Sequence, residues 1–250
     1  MLKIENVSKH FGGITALDHV SLEIQEGTIT GIIGPNGAGK TTLFNIITGL
    51  YPQDGGDIYL QDRKISALPP EKLVRLGIVR TFQNLELFGR MTALENVMVG
   101  LHAKSSSGLF SCAFGFPRQR KEEAFMRERA YEWLKFTGLA DLALREAMSL
   151  PLGQGRLLEI ARGLATEPKI ILMDEPAAGL NTRETLNLAE LIRKIKAMGI
   201  TVVLVEHDME LIMEVCDHIG VLHLGRKLAE GSPREIQDNP AVINAYLGEQ

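Results

Sequence analysis

The chain has 250 residues, enough for one full core or for one domain carrying an inserted lobe. Its 27 basic against 31 acidic side chains give a net charge of −4 at pH 7, which argues against the large basic footprint of a nucleic-acid binder. The hydrophobic fraction of 45% is that of an ordinary globular protein, and no apolar run approaches the ~20 residues that span a bilayer.

The first segment, MLKIENVSKHF, lacks the apolar core of a signal peptide, and its alternation predicts a strand over Leu2 to Lys9. Phe11 follows in KHFGG, either as a core or turn residue or as an aromatic that stacks on a base. Val20 to Ile24 reads as a second strand, Glu26-Gly27 as a turn, and Ile29 to Ile33 as a short buried strand. Then comes GIIGPNGAGKTTL, which contains G-x-x-x-x-G-K-T with Gly34, Gly39, Lys40 and Thr41 in the required places. Pro35, Asn36, Gly37 and Ala38 fill the loop, and Thr42 continues into a helix expected over Thr41 to Thr48, stopped by Gly49. Strand, glycine-rich loop and helix form a context in which successive N–H groups point at an anion, at the positive end of a helix dipole. Lys40 can reach terminal phosphates and the Thr41 hydroxyl can ligate Mg²⁺. A plain glycine-rich turn would have no need for the Lys-Thr pair.

QDGGDIYLQDRKI predicts a polar hairpin with a strand over Asp57 to Leu60, and Pro69-Pro70 opens a short helix ending at Gly77. Gly77 to Phe82 is apolar enough for a central strand. Gln83 then falls at the sheet edge that carries the phosphate loop, either as a surface residue or as a contact to metal or water. Thr92 and Glu95 have capping-box spacing, so a helix begins at Ala93, with Leu94, Val97, Met98 and Leu101 on its apolar face. Leu85, Leu87, Phe88 and Met91 ahead of it form either a small core under a loop or a docking surface. Residues 103–120 read as an irregular insertion, and 119–137 as a helix with Trp133 and Leu134 inside and Gly138 at its end. Cys112, in that insertion, and Cys216 match no metal spacing and read as reduced thiols of a cytosolic protein.

Leu157, Ile160, Ala161 and Leu164 have helical spacing, and Gly153 to Gly155 gives that helix a glycine-rich start, a further potential anion site. Lys169 to Met173 is a buried β run closing with Asp174-Glu175-Pro176. A carboxylate at that place suits a group holding Mg²⁺ through water, and Glu175 beside it suits a general base on a water. Asn181 and Glu184 cap a helix running to Met198. Thr201 to Val205 is another buried strand, and His207 after it faces the ligand edge. Ile219 to Leu224 and Lys227 to Glu230 form a closing hairpin, and two short helices flank Asn239-Pro240.

Taken in order, GPNGAGKTT, Gln83, LPLGQ, IILMDEP, AGLN and EH resemble an ABC-type ATPase over nearly the whole chain. The resemblance implies an α/β P-loop NTPase with a RecA-like core, an antiparallel β-lobe and a helical lobe inserted at about 84–168, all in one ATP-binding domain. It implies a head-to-tail dimer, homo- or heteromeric, with ATP between the P-loop of one subunit and the signature loop of the other. Carried over, Phe11 takes the adenine-stacking position, Gln83 touches Mg²⁺ and the attacking water, Asp174 is the metal-holding acid, Glu175 the catalytic base and His207 the γ-phosphate switch. Gly153 and Gln154 are signature residues. Pro151 departs from the usual Ser of that signature, and Asn181 stands where Asp is more common. GIVRTFQNLELFGRMTALENVMVG, DEPAAGLN, EHDMELIMEVCD and NPAVINAYLGE are similar to the ATP-binding subunits of branched-chain amino acid importers. That likeness implies integral membrane permease subunits as partners, indirectly a solute-binding protein, and a peripheral place on the cytoplasmic face of the membrane.

Importers of amides or urea are an alternative within the family. A soluble ABC ATPase working on nucleic acid or ribosomes would bring tandem ATPase domains, a long coiled coil or basic patches, and the sequence has none of these. A non-hydrolysing ATP sensor is the third reading, prompted by Pro151.

Overall fold

The computed structural model describes residues 1–83, 85–102 and 117–247. Two sheets organise the chain. The first is antiparallel, in the order β2-β1-β4-β5, from β1 (Leu2–Phe11), β2 (Ile14–Ile24), β4 (Gly55–Leu60) and β5 (Arg63–Lys64). The second has the order β10-β9-β3-β8-β7-β6, from β3 (Ile29–Ile33), β6 (Ile78–Thr81), β7 (Ile170–Asp174), β8 (Thr201–Val205), β9 (His218–His223) and β10 (Arg226–Gly231). Its neighbours pair in parallel except β9 with β10.

The inner strands β3, β7 and β8 are buried along their whole length, as expected of parallel strands covered on both faces. Alternation then divides their side chains between two cores. Ile171, Met173, Val202 and Leu204 pack with α5 (Leu152–Ala165), α6 (Thr182–Ala197) and α7 (Met209–Val215). Ile170, Leu172, Val203 and Val205 pack with α1 (Lys40–Ile47) and with the inner face of the antiparallel sheet, including Leu2, Ile4 and Ile58. Between β5 and β6 lies α2 (Pro70–Leu76), whose Leu73 joins this second core. Farther along the chain, α3 (Ala93–His102) and α4 (Pro117–Phe136) pack on each other and on α5. The chain closes with α8 (Pro233–Gln237) and α9 (Pro240–Leu247).

Helix starts follow the sequence signals. At α3, Thr92 N–H donates to Glu95 Oε2 at 2.8 Å and Glu95 N–H donates to Thr92 Oγ1 at 3.2 Å. At α6, Asn181 and Glu184 exchange the same pair of bonds at 3.0 and 3.1 Å. Four expectations change. The strand at 78–81 is the edge of its sheet and not a central strand; helices covering a parallel edge strand give it the same apolar composition as a central one. A helix already begins at Pro117, while residues 103–116, with Cys112 and most of the expected insertion, lie outside the described residues. The second strand begins at Ile14, well before Val20, because its exposed start extends the hairpin with β1. The short helix α7 goes unpredicted: it spans seven residues, and its clearest signal is Asp208, whose Oδ1 accepts from Leu211 N–H at 3.1 Å. Cys216 is a buried thiol, and burial pushes its pKa up to about 12, far from a reactive thiolate.

Candidate active site at the sheet's carboxyl edge

Register places the functional residues. Parallel pairing sets Ile32 beside Val205, Asp174 beside Val205 and Thr81 beside Met173. The carboxyl ends of β3, β6, β7 and β8 therefore share one sheet edge, where ligands bind in open α/β sheets. From these ends emerge the 34–40 loop, Gln83, Asp174-Glu175 and His207.

The loop between β3 and α1 turns tightly. A Cβ at Gly34 would lie 2.0 Å from Leu222 O, and one at Gly39, where φ is 102°, would lie 2.6 Å from Ala16 O. Only glycine fits either place. Gly39 is the N-cap of α1 and supplies no side-chain cap, so the first-turn N–H groups remain for a ligand. Lys40 is buried, and its Nζ donates to Gly34 O at 2.6 Å and Pro35 O at 2.9 Å. These carbonyls hold the ammonium against the loop, where phosphate oxygens would make stronger, charge-assisted acceptors. Thr41 and Asn36 are exposed, Thr42 is half-buried and Ala38 is buried. Phe11 ends β1, is 42% exposed, and meets Tyr51 edge to face at 5.4 Å. It is therefore no core residue.

Gln83 and Glu175, expected to act on water, and His207, expected at the γ-phosphate, meet at one carboxylate. Gln83 Nε2 donates to Glu175 Oε2 at 2.6 Å, and His207 Nε2 lies 2.8 Å from Glu175 Oε1. Glu175 has φ of 48°, in the left-handed region that β-carbon residues seldom enter. Such strain collects at functional sites.

Asp174, 3% exposed, closes β7 and pairs through Oδ2 with Arg80 at 2.5 Å. Arg80 also donates to Asn45 Oδ1 at 2.5 Å and lies over the rings of Phe44 and Phe82. One guanidinium thus ties β6, α1 and β7 together. The backbone of Gln83 is gripped from α5: Arg156 donates to Phe82 O at 2.7 Å and to Gln83 O, while Glu159 Oε1 accepts from Phe82 N–H at 3.1 Å. Burial pushes the Glu159 carboxyl up, and burial also lowers the neighbouring Arg162. Arg80, Arg156, Glu159 and Arg162 were not singled out from the sequence. No local pattern marks them, because their partners lie up to 94 residues away.

Gly153 and Gln154 lie in the first turn of α5, where a Cβ at Gly153 would meet Glu184 and Leu180. Gln154 Oε1 is buried without a hydrogen-bond partner among the described residues. Pro151 caps α5 with no side-chain acceptor, its carbonyl taking Gly155 N–H at 2.9 Å.

The donors near the loop fit a hard cation. The Thr41 hydroxyl, the Gln83 amide and the Asp174 carboxylate are oxygen ligands, and no group of three or more His, Cys, Asp or Glu is placed to hold a metal ion by itself among the described residues. Mg²⁺ is typically held this way, by one or two protein oxygens with substrate phosphates and water completing its shell.

A family model described as "ABC transporter" matches residues 17–178, and one described as "Branched-chain amino acid ATP-binding cassette transporter" matches residues 226–250. The high-affinity branched-chain amino acid transport ATP-binding protein LivG of Salmonella typhimurium is 46% identical over 250 residues, covering 100% of this chain and 98% of its own. Among solved structures, a nucleotide-free ATP-binding cassette from an ABC transporter superposes with a TM-score of 0.86 at 38% identity, covering 98% of both chains. A dimeric ATP-binding cassette in a post-hydrolysis state bound to ADP and Pi superposes at 0.79 with 34% identity, over 94% of this chain and 99% of that one.

Proposed function

Since the chain belongs to the ABC transporter family of ATP-binding cassettes, we propose that it is the ATP-hydrolysing subunit of an importer for branched-chain amino acids. The observation that carries the hydrolytic part is the convergence of Gln83 and His207 on Glu175, on the sheet edge that bears the phosphate loop. The solute is supported by the LivG relative and by the match over residues 226–250.

In this reading backbone N–H groups of the loop, those of Gly37 and Gly39 to Thr42 among them, cradle the phosphates of ATP, Lys40 neutralises their terminal charge, and Phe11 stacks on the adenine. Thr41, Asp174 and Gln83 would hold Mg²⁺, which would offset the negative charge that develops during phosphoryl transfer. Glu175 accepts a proton from the attacking water. Gln83 and His207 hold its two oxygens, one each, so the carboxylate is oriented before substrate arrives. His207 Nε2 can in turn exchange its partner for the γ-phosphate. Residues 1–250 form one ATP-binding domain whose helical lobe spans about 84–168. Gly153 and Gln154 lie in the first turn of α5, and a Cβ at Gly153 would meet Glu184 and Leu180; their phosphate is one held across a dimer by a second ATP-binding subunit. No helix among the described residues is long and apolar enough to cross a membrane. With the LivG relative as support, membrane contact runs through permease subunits at the cytoplasmic face, with a solute-binding protein delivering cargo on the far side. Phe88, 47% exposed beside a cavity of about 550 Å³ lined also by Leu87, Val99 and Arg162, is the docking residue; Leu87 packs against the core and is structural.

The test is affinity purification of the chain from detergent-solubilised membranes, followed by reconstitution in vesicles. We expect co-purifying integral membrane subunits and ATP-dependent leucine uptake, both reduced in Phe88→Ser. A chain that leaves no integral membrane protein bound, and vesicles that take up no leucine with ATP, would refute the transport assignment.

A further inference from the structure

Glu206 is a buried acid to which the hydrolysis scheme gives no task. It is 4% exposed, and burial pushes its carboxyl above the ordinary glutamate range. A carboxyl group in such a place needs hydrogen bonds to offset lost water. Its bonds go to the backbones of two different loops. Oε1 accepts from Ala177 N–H at 2.6 Å, two residues beyond Glu175, and Oε2 accepts from His207 N–H at 3.1 Å. These loops follow the adjacent parallel strands β7 and β8. The chain contact next to them is Glu175 N–H to Val205 O at 2.8 Å, where the ladder gives out. Beyond that point Glu206 does the ladder's work with its side chain.

The consequence falls on the reacting pair. Glu175 holds an uncommon φ of 48° with its Oε1 2.8 Å from His207 Nε2, so a small shift of either loop would part them. We infer that Glu206 is a positioning residue, which fixes Glu175 against His207 by clamping the two loops that carry them. The inference rests on the hydrolytic roles proposed above for that pair. Gln at 206 keeps the size but replaces one acceptor oxygen by an NH₂ that faces a backbone N–H. One loop is then released. Misplacement by about 1 Å at a reacting centre costs rate on the order of 100-fold.

The test is steady-state ATP hydrolysis by the full chain, parent and Glu206→Gln, each also in a His207→Ala background, with thermal unfolding recorded alongside. We expect kcat to fall on the order of 10- to 100-fold, with KM for ATP unchanged within about twofold, because the loop of Lys40 is untouched. In the His207→Ala background the same substitution should add little, since both act through one contact. Parental kcat in Glu206→Gln, a matching rise in KM, or a full additional loss in the His207→Ala background would overturn the inference. If the Gln variant does not unfold cooperatively, Glu206→Asp decides by the same measurements: it keeps the charge but withdraws the carboxylate by one methylene. A parent without ATPase activity would overturn both this inference and the function it rests on; an active parent with an unaffected variant overturns this inference alone.

Discussion

Replacing Arg80 by Met should cost the protein about 3–5 kcal/mol of stability. The reasoning starts from burial: the side chains of Arg80 and Asp174 are only 5% and 3% exposed, and they pair at 2.5 Å. Met fills much of the aliphatic volume but leaves Asp174 buried without its counter-charge, and Asn45 Oδ1 loses a donor. Removing one member of such a pair is far more damaging than removing both, because the remaining charge keeps its desolvation cost. At about 2–4 °C per kcal/mol for a chain of this size, the melting temperature should drop by roughly 6–20 °C. Arg80→Lys retains charge but has no planar fork to reach Asp174 and Asn45 together, so its loss should be intermediate. Urea denaturation followed by circular dichroism measures both variants, with the slope checked for constancy. A loss below about 1 kcal/mol, the scale of an exposed pair, would show that the Arg80–Asp174 contact does not carry the weight assigned to it.

Lys40→Ala should abolish ATP hydrolysis and weaken nucleotide binding, measured by titration with a fluorescent ATP analogue; near-parental turnover would remove the phosphate loop from the scheme. Pro151→Ser in a Glu175→Gln background should tighten ATP-dependent dimerisation by on the order of tenfold or more. The hydroxyl would restore a bond to a charged group, roughly 1.5–3 kcal/mol, and a helix cap, about 1 kcal/mol. Light scattering with and without Mg-ATP reads the dimer fraction, and no gain over the Pro151 parent refutes that account. Glu159 gives a pH signature. Its folded carboxyl is held above the ordinary glutamate value by burial, so between those two values the native state binds more protons than the unfolded chain. Its contribution is full below the unfolded pKa and is lost as pH rises through the folded one. Glu159→Gln should flatten that part of the stability–pH curve, and an unchanged slope would contradict the assignment.

How much of this was legible in the sequence depended on how local each signal is. The phosphate loop is a contiguous string, and its glycines, Lys40 and Thr41 stand where the string put them. Capped helices such as α6 were equally readable, since Asn181 and Glu184 are three residues apart. Gln83, Glu175 and His207 were identifiable as strand-end residues, yet their meeting depends on the order of β6, β7 and β8 in the sheet. The buried charges were hidden. Arg80, Arg156, Glu159 and Glu206 look like solvent-facing residues until the chain folds, and each finds its partner across tens of residues. Edge and centre could not be told apart for 78–81, because covering helices impose the same apolar composition on both. Phe11 shows the reverse case: by itself it read as a core or turn residue or as an aromatic stacking on a base, and the fold, by leaving it exposed against Tyr51, removes only the core alternative.

The central claim, that this chain hydrolyses ATP with Glu175 as its base, is tested most directly by one paired measurement. Purified parent and Glu175→Gln are compared for ATP binding and for phosphate release. The account predicts that both bind ATP with similar affinity, while release in Glu175→Gln falls by about 100-fold or more. Release at the parental rate from Glu175→Gln, with ATP bound as well as before, would contradict it.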